Sequence, residues 1–165
     1  MASRQELYHN YLNELKMFNP NLILLKAEDI FKNYKEVSQF RDLEWIDIYH
    51  GVEIVGFILL TNGPHCPVAY DWFVMECYVD PKYRRKHLMK NAMQKVIQSH
   101  PGTFGMFILS KNKVAADFWN NFIQRKEPKS VDSYCYAQSL EVARNSVPSG
   151  IDCFERAFQV NACNS

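Results

Sequence analysis

The first forty residues carry two helical patterns of apolar residues with a short apolar run between them. Ser3 and Glu6 match a capping box, and behind them apolar residues recur at helical spacing as far as Met17. Residues 22–25 form an apolar run typical of a short buried strand, and residues 28–37 show a second amphipathic pattern. This part of the chain therefore predicts a helix, a strand and a helix.

The middle of the chain changes to the period-two pattern of β-strands. Residues 45–61 are rich in β-branched residues and are interrupted by His50 and Gly51, a turn-like pair, so they predict an antiparallel hairpin. Residues 62–67 contain two prolines and a glycine and predict a loop. Residues 70–79 are apolar along most of their length, which implies a strand buried on both faces.

Helices and strands alternate in the next part of the chain. A helix is predicted over residues 88–97 and a strand over residues 104–109, while residues 131–140 and 154–160 predict two further strands. Between them lies a helix whose apolar face comprises Val114, Ala115, Phe118, Trp119, Phe122 and Ile123. The alternation favours a parallel pair of strands at the centre of the sheet.

Length and composition limit the chain to one domain. Its 165 residues are 47% hydrophobic, enough for one well-filled core but not for two typical domains. We expect a single α/β (α+β) domain over residues 1–165, with a mixed, mainly antiparallel sheet flanked by helices. Residues 1–20 would add an N-terminal helix, and residues 141–165 form an extension without a clear prediction beyond its strand.

Charge and cysteine content argue against several classes of partner. The net charge of +1 gives no general attraction to nucleic acid or to an anionic membrane surface. The five cysteines are widely spaced, with no C-x-x-C pair that would indicate a metal or redox site. We therefore expect reduced thiols and no metal. We also expect a soluble cytoplasmic protein, because no apolar run approaches the ~20 residues that cross a bilayer.

One short segment concentrates positive charge where a helix begins. Residues 82–90 contain five basic residues, although the whole chain has 19 Lys and Arg. Cations at a helix N-terminus are disfavoured by the helix dipole, unless an anion docks there on the free N–H groups. The segment therefore indicates a site for a phosphorylated ligand, with a solvated charged surface as the alternative.

The same segment resembles the acetyl-CoA signature of the GNAT family of N-acyltransferases. Residues 78–89, YVDPKYRRKHLM, are similar to the family pattern V-x-P-x-x-R-G-x-G-I-G/A. Residues 52–57 resemble the family's strand ending in I-V-G, and residues 112–119 resemble its N-x-x-A-x-x-F-Y helix. Three motifs in the family's order are more specific than any one of them, and the resemblance covers about residues 22–140.

The resemblance implies a GNAT-like acyl-CoA N-acyltransferase fold that uses acetyl-CoA as acyl donor. It implies that the backbone of Cys77 and Val79 pairs with the pantetheine arm, and that backbone amides from Arg84 to Met89 wrap the pyrophosphate. The full set of implied cofactor-binding residues is Cys77, Tyr78, Val79, Arg84, Arg85, Lys86, His87, Leu88, Met89, Asn112, Phe118 and Trp119. For Asn112, an ordinary helix N-cap is the alternative role.

The sequence departs from the family pattern at positions that matter for binding and chemistry. Arg85, His87 and Met89 stand where the family usually has glycine, which permits positive φ and close backbone approach. Trp119 stands where the family commonly has the tyrosine that protonates the CoA thiolate, and its indole N–H has no usable proton. Tyr136, or its neighbour Tyr134, could supply that proton instead.

An acceptor amine must lose a proton before it attacks a thioester, so a base is required. Glu76 is the first candidate, because a carboxylate in an apolar strand is costly unless it is used or paired. Asp71 and His65 are weaker candidates. Cys77 has apolar neighbours and is expected to be a packing residue rather than a nucleophile.

Three functions remain open at this stage. The first is acetyl transfer from acetyl-CoA to a primary amine of a small molecule or peptide. The second is a GNAT-like domain that has lost catalysis and binds a CoA-type ligand or a protein partner, and the third is a nucleic-acid module using the basic segment. Tyr34, Trp45, Tyr70 and Tyr136 could line an acceptor pocket or belong to the core. Residues 141–165 either cover the mouth of the site or pack on a second subunit in a homodimer.

Overall fold

The computed structural model describes residues 2–22, 43–62, 70–123, 137–140 and 151–160 of the chain. The helix predicted at residues 28–37 lies outside these ranges, as do His65, Tyr34, Tyr134 and Tyr136. So does the strand predicted at residues 22–25, apart from Leu22.

The described residues form three α-helices and six β-strands. In chain order they are α1 Arg4–Phe18, β1 Leu43–His50, β2 Glu53–Thr61, β3 Trp72–Val79, α2 Leu88–Ser99, β4 Gly102–Leu109, α3 Lys113–Ile123, β5 Ala137–Leu140 and β6 Cys153–Val160. A short 3-10 helix, Pro81–Tyr83, connects β3 to the segment before α2. None of the described helices is long and apolar enough to cross a membrane.

Helix α1 begins as its sequence predicts. The Ser3 hydroxyl accepts a hydrogen bond from the Glu6 N–H at 3.1 Å, and the Glu6 carboxylate accepts one from the Ser3 N–H at 2.7 Å. The helix buries an apolar stripe against the hairpin β1–β2, in a cluster formed by Leu7, Tyr8, Leu12, Trp45, Phe57, Leu59 and Tyr78. Trp45 belongs to this core, where its ring stacks on Phe57 with the centroids 4.4 Å apart.

The six strands form one sheet in the order β1-β2-β3-β4-β6-β5. Every neighbouring pair is antiparallel except β3 and β4, which are parallel, so the predicted mixed sheet with a central parallel pair is confirmed. β3 and β4 pair only at Trp72–Phe104 and Phe73–Gly105. Beyond these two pairs the strands diverge, and the sheet opens toward the C-terminal ends of both.

A β-bulge lies in β3 beside this opening. Leu59 of β2 faces Glu76 and Leu60 faces Val74, so Met75 is an extra residue without a partner in the ladder. The Met75 side chain is 41% exposed. The prediction that this strand is buried on both faces was therefore wrong at Met75, because the bulge turns that residue out of the regular alternation.

The larger core lies on the opposite face of the sheet from α1. There α2 and α3 cover the central strands, and aromatic rings of β4, α3 and β6 meet at Phe104, Trp119 and Phe158. The Tyr70 ring packs directly against Gly105. A Cβ atom at position 105 would come within 2.3 Å of that ring, so a larger residue would not fit there.

Within the described residues, the predicted elements agree with the observed ones except for a few boundaries. The loop predicted at residues 62–67 lies outside those residues apart from Asn62. The strand at residues 154–160 is confirmed as part of β6, and only residues 137–140 of the strand predicted at 131–140 are described. Val114, which the pattern predicts on the buried face of α3, is 57% exposed, because it lies in the first turn of the helix.

Candidate functional site

A cleft of about 750 Å³ opens where β3 and β4 diverge. Its walls come from β3, from the segment leading into α2, from α3 and from α1. Of the residues that the family resemblance singles out, those that line it are Cys77, Tyr78, Val79, Arg84, Arg85, His87, Leu88, Met89, Asn112, Phe118 and Trp119. Lys86 does not line the cleft, and its ammonium lies 5.3 Å from the centre of the Tyr83 ring.

The backbone of β3 presents to this cleft the edge that does not pair with β2. The Asp80 N–H donates to the Val55 carbonyl at 2.9 Å. This bond shows which alternate residues of the β3 segment direct their backbone groups toward β2. Because backbone groups alternate in direction along an antiparallel strand, those of Tyr78 face β2, whereas those of Cys77 and Val79 face away from it. These two residues are therefore placed as an added strand would require.

The segment before α2 keeps a glycine-like backbone although it has no glycine. Arg85 and His87 have φ values of 64° and 58°, in the left-handed region. Met89, the third position where the family usually has glycine, lies inside α2 and needs no such freedom. The chain thus retains the turn with ordinary side chains.

The turn leaves a run of backbone donors open. Among the described residues, no acceptor takes a hydrogen bond from the backbone N–H groups of residues 85–90. These donors stand at the N-terminus of α2, where the helix dipole favours negative charge, and Arg85 and Lys90 line the cleft beside them. The arrangement can hold a phosphate or pyrophosphate group.

Arg84 has a different environment from the other cations of the segment. Its Nε donates to the Val79 carbonyl at 2.8 Å, and a terminal nitrogen donates to Glu14 of α1 at 2.5 Å. The guanidinium also lies 5.5 Å from the centre of the Tyr78 ring. Arg84 is thus fixed by protein groups on three sides. Its backbone N–H donates to the Pro81 carbonyl at 3.3 Å, so it is not one of the open donors that were predicted from Arg84 to Met89.

Glu76 stands one residue before Cys77, with its side chain on the face of the sheet that carries Phe57, Leu59 and Tyr78. Protein atoms surround the carboxyl group, although the residue keeps some solvent exposure, and burial raises its pKa from 4.5 to about 8. Within the described ranges the carboxylate forms no hydrogen bond or ion pair. Burial, with the charge of Glu76 as a smaller cause, also raises the pKa of the nearby Tyr8.

The other sequence candidates occupy structural positions. Burial and the neighbouring Glu76 charge raise the pKa of Cys77 to about 12, which disfavours a thiolate. The Asn112 side chain caps α3 by accepting from the Ala115 N–H at 3.1 Å, and Trp119 is buried. Asp71 is bound to Thr103 at the start of β4 and does not line the cleft.

Helix α1 supplies cleft residues that sequence reasoning missed. Tyr11, Glu14 and Leu15 face the cleft, and Glu14 pairs with Arg84, which follows it by 70 positions. A capping box and an apolar stripe predict a helix but not the surface on which it packs. No local signal in the sequence could have identified the pairing.

Comparisons with known proteins agree with this geometry. The family model described as "Acetyltransferase (GNAT) family" matches residues 8–122. An acetyltransferase from Thermus thermophilus superposes with a TM-score of 0.63 at 12% identity, covering 93% of this chain and 86% of that one. The PaiA N-acetyltransferase from Thermoplasma acidophilum, solved in complex with coenzyme A, gives 0.53 at 12% identity, covering 94% and 92%.

A search of curated proteins finds no match by sequence. The structural likenesses establish the fold, and the family model establishes the relationship over more than half of the sequence. The chain belongs to the GNAT acetyltransferase family.

Proposed function

We propose that the protein is an N-acetyltransferase that uses acetyl-CoA to acetylate a primary amine by direct attack on the thioester. One observation carries the proposal: the cleft joins the backbone N–H groups of residues 85–90 to the edge of β3, and within the described residues those N–H groups, the Val79 N–H and the Cys77 carbonyl have no hydrogen-bond partner. A phosphate group and an extended amide-bearing arm are the two parts of CoA that such surfaces bind. The CoA bound to the Thermoplasma acidophilum relative supports the same ligand.

Different residues of the cleft would bind different parts of CoA. The N–H groups of residues 85–90 would hold the pyrophosphate, with Arg85 and Lys90 adding charge. The arm would pair with Cys77 and Val79 as an added strand. Phe118 and Trp119 would provide an apolar wall for its aliphatic part, and the spare N–H₂ group of Asn112 could donate to one of its carbonyls.

The reaction transfers an acetyl group from sulfur to nitrogen. The amine nitrogen attacks the thioester carbon, a C–N bond forms and the C–S bond breaks; the amine loses a proton and the departing sulfur can accept one. An alkylammonium has a pKa of about 10 and offers no lone pair until it is deprotonated. Holding the amine against the thioester would supply much of the rate.

Glu76 is the proposed base. A carboxyl group with a pKa near 8 is a stronger base than an ordinary glutamate, and a base works best when its pKa lies near the working pH. Its side chain lies on the α1 face of the sheet, away from α2 and α3. The acceptor amine would therefore approach from that face, with the donor entering from the cleft.

The departing thiolate depends less on a general acid than the amine depends on a base. A thiol has a pKa of about 8.5, so the thiolate is a moderately stable leaving group. Trp119 has no proton to donate, and Tyr136 remains the proposed acid for this step.

Two successive measurements test the proposed function. CoA should raise the melting temperature of the purified protein, and the absence of a shift at millimolar CoA would reject donor binding. Thiol release from acetyl-CoA should then be followed with chemically different amines: spermidine, lysine amide, a peptide with a free N-terminus and glucosamine. CoA binding without turnover on any amine would instead favour a GNAT domain that binds its ligand or a protein partner without catalysis.

A further inference from the structure

Helix α1 places a carboxylate on the wall of a cleft whose other charged residues suit an anion. Glu14 is 21% exposed and faces the same cleft as Arg85 and Lys90. A negative charge there would repel a pyrophosphate if nothing compensated it. Arg84 compensates the Glu14 charge, because a terminal guanidinium nitrogen of Arg84 donates to the Glu14 carboxylate at 2.5 Å.

The ion pair removes Arg84 from the set of cations that are free to bind phosphate. Its Nε is committed to the Val79 carbonyl and a terminal nitrogen to Glu14, and both side chains are largely shielded, with exposures of 28% and 21%. The charges of the two residues cancel locally. The pair therefore acts by positioning the guanidinium at the Val79 carbonyl and not by adding net charge to the cleft.

The geometric consequence lies at the free edge of β3. Of the groups that face away from β2, the Val79 carbonyl is already occupied, whereas no hydrogen bond among the described residues engages the Val79 N–H or the Cys77 carbonyl. An arm pairing here can bond to the inner positions. A register shifted by two residues toward the anion-binding turn would have to share the Val79 carbonyl with Arg84 and would face Pro81, which has no N–H to donate. Such a shift would withdraw the thioester by about 6.6 Å at 3.3 Å per residue.

We propose that Glu14 and Arg84 are positioning residues that fix the register in which the acyl-donor arm pairs with β3. Glu14 orients the guanidinium, the guanidinium caps the Val79 carbonyl, and the capped carbonyl favours the inner register, which uses the Val79 N–H and the Cys77 carbonyl. The inference rests on the proposed function, since it assumes a CoA arm at this edge. It adds a role for α1 in the alignment of the donor.

The test compares Glu14→Ala, Glu14→Gln and Glu6→Ala. Glu6 is also on α1, but it caps the start of the helix and does not line the cleft, so its variant controls for weakening of α1. We expect Glu14→Ala to lower kcat by roughly tenfold or more at saturating acetyl-CoA, because small misplacements of reacting groups are costly. The Kd for CoA should change by less than about threefold, since the phosphate contacts remain.

Glu14→Gln should restore most of kcat, because its amide oxygen can still accept from Arg84, and Glu6→Ala should keep the wild-type kcat. The amine would be the best of the four in the thiol-release assay. An unchanged kcat in Glu14→Ala, or equal losses in Glu14→Ala and Glu6→Ala, would overturn the inference while the proposed function stands. A wild-type protein that binds no CoA or acetylates none of the amines would overturn both.

Discussion

Two residues of the turn before α2 hold a conformation that side chains ordinarily avoid. Arg85 and His87 have positive φ, and for a residue with a Cβ the left-handed region costs about 1–2 kcal/mol. Such strain persists only where the surrounding structure maintains it, and it often occurs at ligand-binding sites. The strained turn leads into the start of α2, where the N–H groups of residues 85–90 have no acceptor among the described residues.

Replacing His87 with glycine should therefore stabilise the fold. We expect His87→Gly to raise the free energy of unfolding by about 0.5–1 kcal/mol, since relief of the left-handed strain exceeds the entropy cost of glycine. Lys86→Gly, at a neighbouring position without positive φ, should instead be destabilising. Denaturant unfolding of both variants checks the difference, and equal destabilisation would contradict the observed backbone.

Glu76 should make the stability of the protein depend on pH. Its pKa is 4.5 when solvated and about 8 when folded, so between these values the folded state binds more protons than the unfolded state. The contribution of Glu76 is most favourable below about pH 4.5 and declines as the pH rises to 8. Glu76→Gln should have a higher melting temperature than wild type at pH 8, with a smaller difference at pH 5; a constant difference would argue against a buried carboxyl group.

The same substitution should separate binding from catalysis. If Glu76 is the base, Glu76→Gln should lower kcat by roughly 10²-fold and leave the Kd for CoA near its wild-type value. In the wild-type protein, kcat should rise with pH and level off above about 8, as the carboxylate forms. A variant that retains wild-type kcat would remove Glu76 from the chemistry.

At the scale of elements, the turn and the start of α2 act together as an electrostatic unit. Arg85 lines the cleft beside the free N–H groups, whereas Lys82 lies on the exposed 3-10 helix and does not line it. Arg85→Gln should weaken CoA binding by about fivefold and reduce its salt dependence, while Lys82→Gln, with the same change in net charge, should have little effect. Calorimetric titration with CoA and with pantetheine, which lacks phosphate, checks this, since pantetheine should not distinguish the two variants.

Local patterns predicted most elements because each signal lies within a few residues of its effect. The capping box of Ser3 and Glu6 begins α1, and Gly51 of the predicted His50-Gly51 pair lies in the observed turn between β1 and β2. The failures have a different origin. The bulge at Met75 depends on how β3 aligns with β2, and the exposure of Val114 depends on its place in the first turn of α3, so neither is encoded by residue type alone.

At the scale of the molecule, the site exists because one sheet is split at its parallel pair. The sequence predicted that pair and, through the family resemblance, the residues of the cleft. It could not predict that α1 closes one wall, since Glu14 and Arg84 are far apart in the chain and meet only through tertiary packing. Glu76 does not line the cleft, and its place on the α1 face of the sheet likewise depends on how the bulged β3 aligns with β2.

The split sheet predicts an alternating pattern of amide protection along β3. In the free protein, the amide of Tyr78 is bonded to β2 and should exchange slowly, whereas those of Cys77 and Val79 face the cleft and should exchange faster. CoA should slow exchange at Val79, and at Cys77 if its N–H also bonds to the arm, with little effect on Tyr78. The nucleotide 3′-phosphoadenosine 5′-diphosphate, which lacks the arm, should protect residues 85–90 but leave Val79 unchanged. Amide exchange followed by NMR resolves these residues one by one. Equal protection of Val79 by both ligands would mean that a general tightening of the sheet, rather than pairing with the arm, accounts for the effect.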